Sequence, residues 1–205
     1  MLNLTKDDKL DLVKSDGSKL TNFCVGANWG AIVKSGTFGF GTTKEPVDLD
    51  LSAALFAANN QLIELIYFAE KNLVSSDGSI RHSGDDVIGD TGGDDGLDNE
   101  VITVNLNQLS AGVDKIVFIL NSYQGQDFAI VPYAQIRLYE GTPKQPKSIF
   151  AQFEVSKDPK FAGHVSMVLG KLYKRNNEWK FQTIGEPTRD RTLQETVQTV
   201  TQRFL

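Results

Sequence analysis

The sequence predicts an all-β fold, an antiparallel β-sandwich of about nine or ten strands with short helices, including one at the C-terminus. Three observations carry this. Apolar and polar residues alternate mostly with a period of two before residue 77, and again in runs such as Val101 to Leu106 and Ala134 to Tyr139. Turn signals divide the chain into nine or ten strands at short spacing, which suggests a sandwich. The 18 glycines and 12 phenylalanines lean toward turns and strands.

Taken in order, Lys9 to Lys14 reads as a strand ended by the turn Ser15-Asp16-Gly17. Asn22 to Ala27 reads as another, with Cys24 on its core face, and Gly36, Gly39 and Gly41 mark a loop. Val47-Asp48-Leu49-Asp50-Leu51-Ser52 alternates cleanly, so a strand points Val47, Leu49 and Leu51 one way and Asp48, Asp50 and Ser52 the other. Ala53 to Phe56 extends that strand, Asn59-Asn60 supplies a hairpin turn, and Gln61 to Phe68 returns, with a helix over Gln61–Lys71 as the second choice.

Val101 to Leu106 and Lys115 to Leu120 follow as core strands. Phe128 to Pro132 reads as a turn and Ala134 to Tyr139 as a strand that stops at Gly141-Thr142-Pro143. Ile149–Val155, Val165–Tyr173 and Trp179–Ile184 complete the set, the last two joined through Asn176-Asn177. At the end the period changes: Leu193, Val197, Val200 and Phe204 share one helical face, so a helix over about 189–204 is expected to dock on its own sandwich. Thr192 with Glu195 fits a capping box.

With 40% hydrophobic and 23% charged residues, the chain can bury one sizeable core, and residues 1–205 are read as a single domain. The lone Cys24 allows no intramolecular disulfide and no cysteine zinc site. Met1 to Leu4 runs straight into Lys6, Asp7, Asp8 and Lys9 without an apolar signal core, so a cytoplasmic location is expected. A net charge of −5 disfavours binding to phosphate backbones, and no nucleic-acid partner is expected.

The charge is concentrated. Residues 77–100 hold eight acidic groups against Arg81 alone, a net −7, which leaves +2 for the rest of the chain. Five glycines, Gly84, Gly89, Gly92, Gly93 and Gly96, lie among these carboxylates and let the loop fold back on itself. Hard cations such as Ca²⁺ take six to eight oxygens from carboxylates and carbonyls, and a loop rich in Asp and Gly offers both. The spacing is not that of an EF-hand, because no start gives acidic residues at positions one, three and five with Gly at six and Glu at twelve. A solvated acidic loop is the competing reading.

Several stretches resemble the TerD-domain family, the tellurium-resistance and general stress proteins of bacteria. Val47 to Ser52 is similar to the family's F-D-L-D-A-S, and His82-Ser83-Gly84-Asp85-Asp86 onward to its H-S-G-D-N-x-T-G followed by G-D-D-E. Gly170 to Arg175, Glu178 to Phe181 and Val25 to Trp29 match its G-E-L-Y-R, W-K-F and V-G-L-G-W. The resemblance implies a β-sandwich that binds one or two Ca²⁺ ions and has no catalytic activity. It puts Asp48, Asp50, Asp85, Asp86, Asp94, Asp95 and Glu100 among the metal ligands, with carbonyls near Gly84 and Gly93. Asp86 stands where the family has Asn and Ile88 where it has Thr. Gly96-Leu97-Asp98-Asn99 interrupts the acidic run before Glu100, which leaves open which of Asp95, Asp98 and Glu100 ligates.

Two other functions compete. Clustered carboxylates could hold metals for a hydrolase, although no G-x-S-x-G, H-E-x-x-H or phosphate loop occurs. An acidic face could also dock a basic partner without metal. The expected role is a calcium-binding stress-response module whose loop orders a surface for protein partners, including membrane-associated members of a resistance assembly. His82 is read as a solvated loop residue, and Trp29 and Trp179 as packing residues.

Overall fold

The computed structural model describes residues 2–3, 8–14, 16–35, 41–156 and 158–205. Its strands run β1 (Leu2–Asn3), β2 (Lys9–Asp11), β3 (Asn22–Trp29), β4 (Ile32–Ser35), β5 (Thr42–Glu45), β6 (Leu49–Phe56) and β7 (Leu62–Ile66). Then come β8 (Ile80–His82), β9 (Glu100–Asn105), β10 (Lys115–Ser122), β11 (Ala134–Thr142), β12 (Gln145–Glu154), β13 (Ser166–Arg175) and β14 (Glu178–Thr188), followed by helix α1 (Leu193–Arg203). One six-stranded sheet is ordered β1-β12-β11-β3-β9-β8, the other β2-β14-β13-β10-β6-β7, and β4 and β5 form a separate hairpin.

Alternation decides which side chains meet between the sheets. Phe23, Val25, Ala27 and Trp29 of β3 join Leu49, Leu51, Ala53 and Leu55 of β6, with Ile116, Phe118 and Leu120 of β10, in the main core. The other face of the second sheet carries Ala54, Phe56, Val117, Ile119 and Val168, and α1 covers them with Val197 and Val200. The terminal helix therefore docks on its own sandwich, as its apolar stripe predicts.

Fourteen strands exist among the described residues, against the nine or ten expected. The additional ones are short, with β1, β4, β5 and β8 each two to four residues long, too brief to show alternation. The pairing is antiparallel except between β1 and β12, which run parallel over two residue pairs. Within Gln61–Phe68, Leu62–Ile66 forms strand β7 rather than a helix, because Ala53 to Phe56 of β6 offer it a ladder.

Asn60 takes φ 66° in the turn before β7, and Asn176 and Asn177 take 53° and 62° between β13 and β14. Left-handed asparagine suits tight hairpins. The helix begins later than 189. Thr192 caps it by accepting the Glu195 amide, while the Glu195 carboxylate takes the Arg191 amide at 2.8 Å, one residue before the position a capping box requires.

Cys24 is not in the main core. It packs on the other face of β3 with Val101 and Tyr139, because Phe23 and Val25 take the inward positions. Burial pushes its thiol up to about 11, which leaves it protonated and inert. Gly41 opens β5, while Ser15, Gly36 and Gly39 lie outside the described residues.

Candidate metal centre

The alternation that buries Leu49 and Leu51 turns Asp48 and Asp50 to the opposite side of β6. Both are only 5% exposed. Asp85, on the exposed loop after β8, brings a carboxylate oxygen to within 4.8 Å of oxygens from Asp48 and Asp50. The Oδ1 of Asp48 is buried without a hydrogen-bond partner. Burial, then Asp85, Glu100 and Asp86, raise the Asp48 carboxyl to about 6. Burial, then Glu100, Asp48 and Asp85, raise Asp50 to about 8. Three acids thus converge with no basic side chain between them, an arrangement that either protonates or takes a cation.

The loop is held against β6 by two side chains from the opposite sheet. Pairing of β6 with β7 begins only at Ala53, so nothing in that ladder serves Leu51. Glu100, fully buried at the start of β9, accepts the Leu51 amide on Oε2 at 2.7 Å and the Asp86 amide on Oε1 at 3.2 Å. Burial pushes the Glu100 carboxyl upward, against the pull of His82 and these amides. His82 of β8 lies 2.9 Å from the Leu51 carbonyl and 3.3 Å from Glu100 through Nε2. Its Nδ1 accepts the Gly84 amide at 3.1 Å, so the ring proton sits on Nε2 and donates to Leu51. His82 is therefore a buried clamp, 7% exposed, and not the solvated residue expected from its loop context. Both nitrogens are occupied.

Asp86 closes a turn. Its Oδ1 accepts the amides of Ile88 at 3.0 Å and Gly89 at 2.8 Å. Gly89 takes φ +67°, and a Cβ there would lie 2.6 Å from Cδ1 of Trp29, so only glycine fits. Trp29 is a packing residue, as expected, and it also donates Nε1–H to the Val47 carbonyl at 2.8 Å. These contacts tie the loop to the link that precedes β6.

A second carboxylate group, Asp90, Asp94 and Asp95, lies farther out on the loop. Its oxygens are largely engaged. Asp90 accepts from the Tyr133 hydroxyl at 2.7 Å and from Asn99 at 3.2 Å. Asp94 accepts from Asn28 at 2.9 Å and from the Gly96 amide at 2.8 Å, and Asp95 from the Leu97 amide at 2.9 Å. Burial and the Asp90 carboxylate hold the Tyr133 phenol well above its ordinary range. Asn28, 1% exposed, leaves its Oδ1 unpartnered beside this group. Gly93 sits on the same stretch at φ +97°, a geometry that glycine tolerates.

Of the sequence-derived candidates, Asp48, Asp50 and Asp85 come together, and Asp94 and Asp95 join Asp90 instead. Asp86 and Glu100 spend oxygens on backbone amides. Asp98 belongs to neither group: it forms an ion pair with Arg137 at 2.8 Å between buried side chains, over Gly26, where a Cβ would overlap its carboxylate. Sequence reasoning missed the clamp role of His82, the Asn99 bridge to Trp29, Asp86 and Asp90, and the Tyr133 hydroxyl. Of the second group, the sequence marked Asp94 and Asp95 but not Asp90.

A family model described as TerD domain matches residues 1–199. The chain belongs to the TerD-domain family. It is 32% identical over 195 residues to the tellurium resistance protein TerZ of Serratia marcescens, covering 94% of this chain and 93% of that one. It is 30% identical over 206 residues to the stress response protein SCP2 of Bacillus subtilis, covering 96% and 97%. Its fold is similar to the crystal structure of a homologue of telluride resistance protein (TerD) from Streptomyces coelicolor, with TM-score 0.64, 17% identity, and 85% and 94% of the two chains covered. The all-β reading and the resemblance drawn from the sequence both hold. None of the described helices is long and apolar enough to cross a membrane.

Proposed function

We propose that this TerD-domain protein is a calcium-binding stress-response module of the tellurium-resistance type. In this reading Asp48, Asp50 and Asp85 hold Ca²⁺, and the loaded acidic end presents a surface to partner proteins. The observation that carries it is the buried, unpartnered Asp48 Oδ1 beside Asp50 and Asp85, because an uncompensated buried carboxylate is costly unless a cation satisfies it. The donor set fits a hard cation: it is all oxygen, and both nitrogens of the nearest histidine are in use. Asp90, Asp94 and Asp95 are candidates for a second, weaker ion.

The loop is clamped by Glu100 and His82, so the element that responds to the ion is the exposed corner at Asp85 and its neighbours. Neutralising that corner would let a partner approach an end that otherwise carries a net −7 over residues 77–100. We place the protein in the cytoplasm, among other proteins of a stress or tellurium-resistance assembly, some of them membrane-associated, and assign it no catalytic step.

Titration calorimetry of chelator-stripped protein with Ca²⁺ and Mg²⁺ tests this. Saturable Ca²⁺ binding with weak Mg²⁺ competition is expected. At calcium about 100-fold above the dissociation constant, the gain of about 2.7 kcal/mol should raise the melting temperature by roughly 5–10 °C. No calcium heat and an unchanged melting temperature would leave a metal-independent acidic docking surface as the better account.

A further inference from the structure

Asp50 faces a second feature besides the carboxylate group. A cleft of about 220 Å³ is lined by Asp50, Tyr67, Phe68, Asn121, Tyr123 and Arg191, together with the first residues of α1. Three rings form its aromatic side: Tyr67 and Phe68 meet edge to face at 5.4 Å, and Phe68 meets Tyr123 the same way at 5.6 Å. Tyr123 is 67% exposed, an unusual state for a large ring packed against another.

The polar side offers positive charge. Arg191 is exposed and has no ion-pair partner among the described residues. The cap on α1 satisfies the Glu195 amide, and the amides of Leu193 and Gln194 have no acceptor among the described residues. Asn121, 4% exposed and opposite Asp50 in the β6–β10 register, donates Nδ2 to Ser166 at 2.6 Å and to Thr196 at 3.2 Å. Thr196 gives its own proton to the Thr192 carbonyl, so it can only accept, and this fixes the amide orientation. The buried Oδ1 of Asn121 is left without a partner.

From these features we infer that the cleft binds a small organic anion with a flat apolar body, and that it does so when the cation site is loaded. The inference rests on the calcium reading of Asp48, Asp50 and Asp85. The cation places positive charge beside Asp50, where the empty site offers an anion only carboxyl groups and their protons. The anionic head then meets the cation, Arg191 and the start of α1. The flat body lies on Tyr123 and Phe68, and a ligand N–H or O–H reaches Asn121 Oδ1. Carboxylate and phosphate heads share this chemistry.

The test uses 4-hydroxybenzoate and phenyl phosphate as probes, with inorganic phosphate as the control that lacks a flat body. Each is titrated into the 205-residue chain in calcium and in chelator and followed by ligand-detected NMR. At least one aromatic probe should bind about tenfold or more tightly in calcium, and inorganic phosphate more weakly than phenyl phosphate. Whichever aromatic probe binds identifies the head group. Arg191→Ala and Tyr123→Ser should each weaken the probe severalfold while leaving the calcium titration unchanged. Normal calcium binding with no probe binding overturns the inference and leaves the calcium reading standing, as does probe binding equal in chelator. An absent calcium titration overturns both.

Discussion

The two carboxylate groups of the acidic end have similar composition and opposite physics. Asp48 and Asp50, at the start of β6, are buried and meet Asp85 of the loop, with an oxygen on Asp48 that nothing in the fold satisfies. Asp90, Asp94 and Asp95 lie on a loop, and each already accepts a hydrogen bond from a nearby amide or side chain. Counting acids in the sequence makes the outer group look at least as strong. What separates them is unrelieved burial, because an exposed, internally hydrogen-bonded carboxylate has water and its own turn to stabilise it.

The sharpest way to break this contrast is Asp50→Asn. Even partners outside the ligand set shift metal affinity by about 10–100-fold, so loss of this buried ligand should weaken calcium at least about 100-fold by calorimetry. The same change should raise the melting temperature of the chelated protein, since it removes a buried carboxyl that must take up a proton or bury its charge on folding. Unchanged calcium affinity would move the primary site to the loop.

Next in size is Glu100→Gln, which keeps the shape of the clamp but loses charge-assisted bonds to the Leu51 and Asp86 amides. Denaturant melts in chelator should show a loss of about 1–3 kcal/mol, with calcium affinity lowered as Asp85 loses its position.

The pH dependence separates the groups as well. In chelator, Asp48 and Asp50 bind protons more tightly in the folded state, with values raised to about 6 and about 8, than in the unfolded chain. The folded state then holds more protons between about pH 4 and 8, so stability should fall as pH rises through that window. Calcium takes the place of those protons and should flatten the slope. Calorimetry at pH 7 in two buffers of different ionisation heat should detect proton release on calcium binding. A flat profile in chelator would mean that these carboxyls are not buried as described.

The smallest effect expected is that of Asp94→Asn. An exposed charge contributes about 0.2–1 kcal/mol, so the first calcium event should weaken by no more than about fivefold.

Much of the fold was legible because strand alternation is local. The faces of Val47 to Ser52, the asparagine hairpins and the docked helix all follow from neighbours in the chain. Strands such as β8 were not legible, since three residues carry no period and exist only because β9 lies alongside. The site divides the same way. Asp48 and Asp50 share a face by alternation, and the family motif marks Asp85. His82 read as a loop residue because its contact with Leu51 crosses to the other sheet and its contact with Glu100 depends on β8 pairing with β9.

By itself the sequence determined the sandwich class, the concentration of negative charge in one loop, and the projection of two aspartates from one strand. Each depends on periodicity or composition, which need no knowledge of distant residues. The tertiary structure alone decided which acids are buried and which are spent. Asp98 became the partner of Arg137, Glu100 a clamp on Leu51, and Asp50 a wall shared by the buried carboxylate group and the neighbouring cleft. Desolvation and hydrogen-bond satisfaction are set by what the other sheet, the helix and the loop bring within a few ångströms, and no spacing along the chain encodes that.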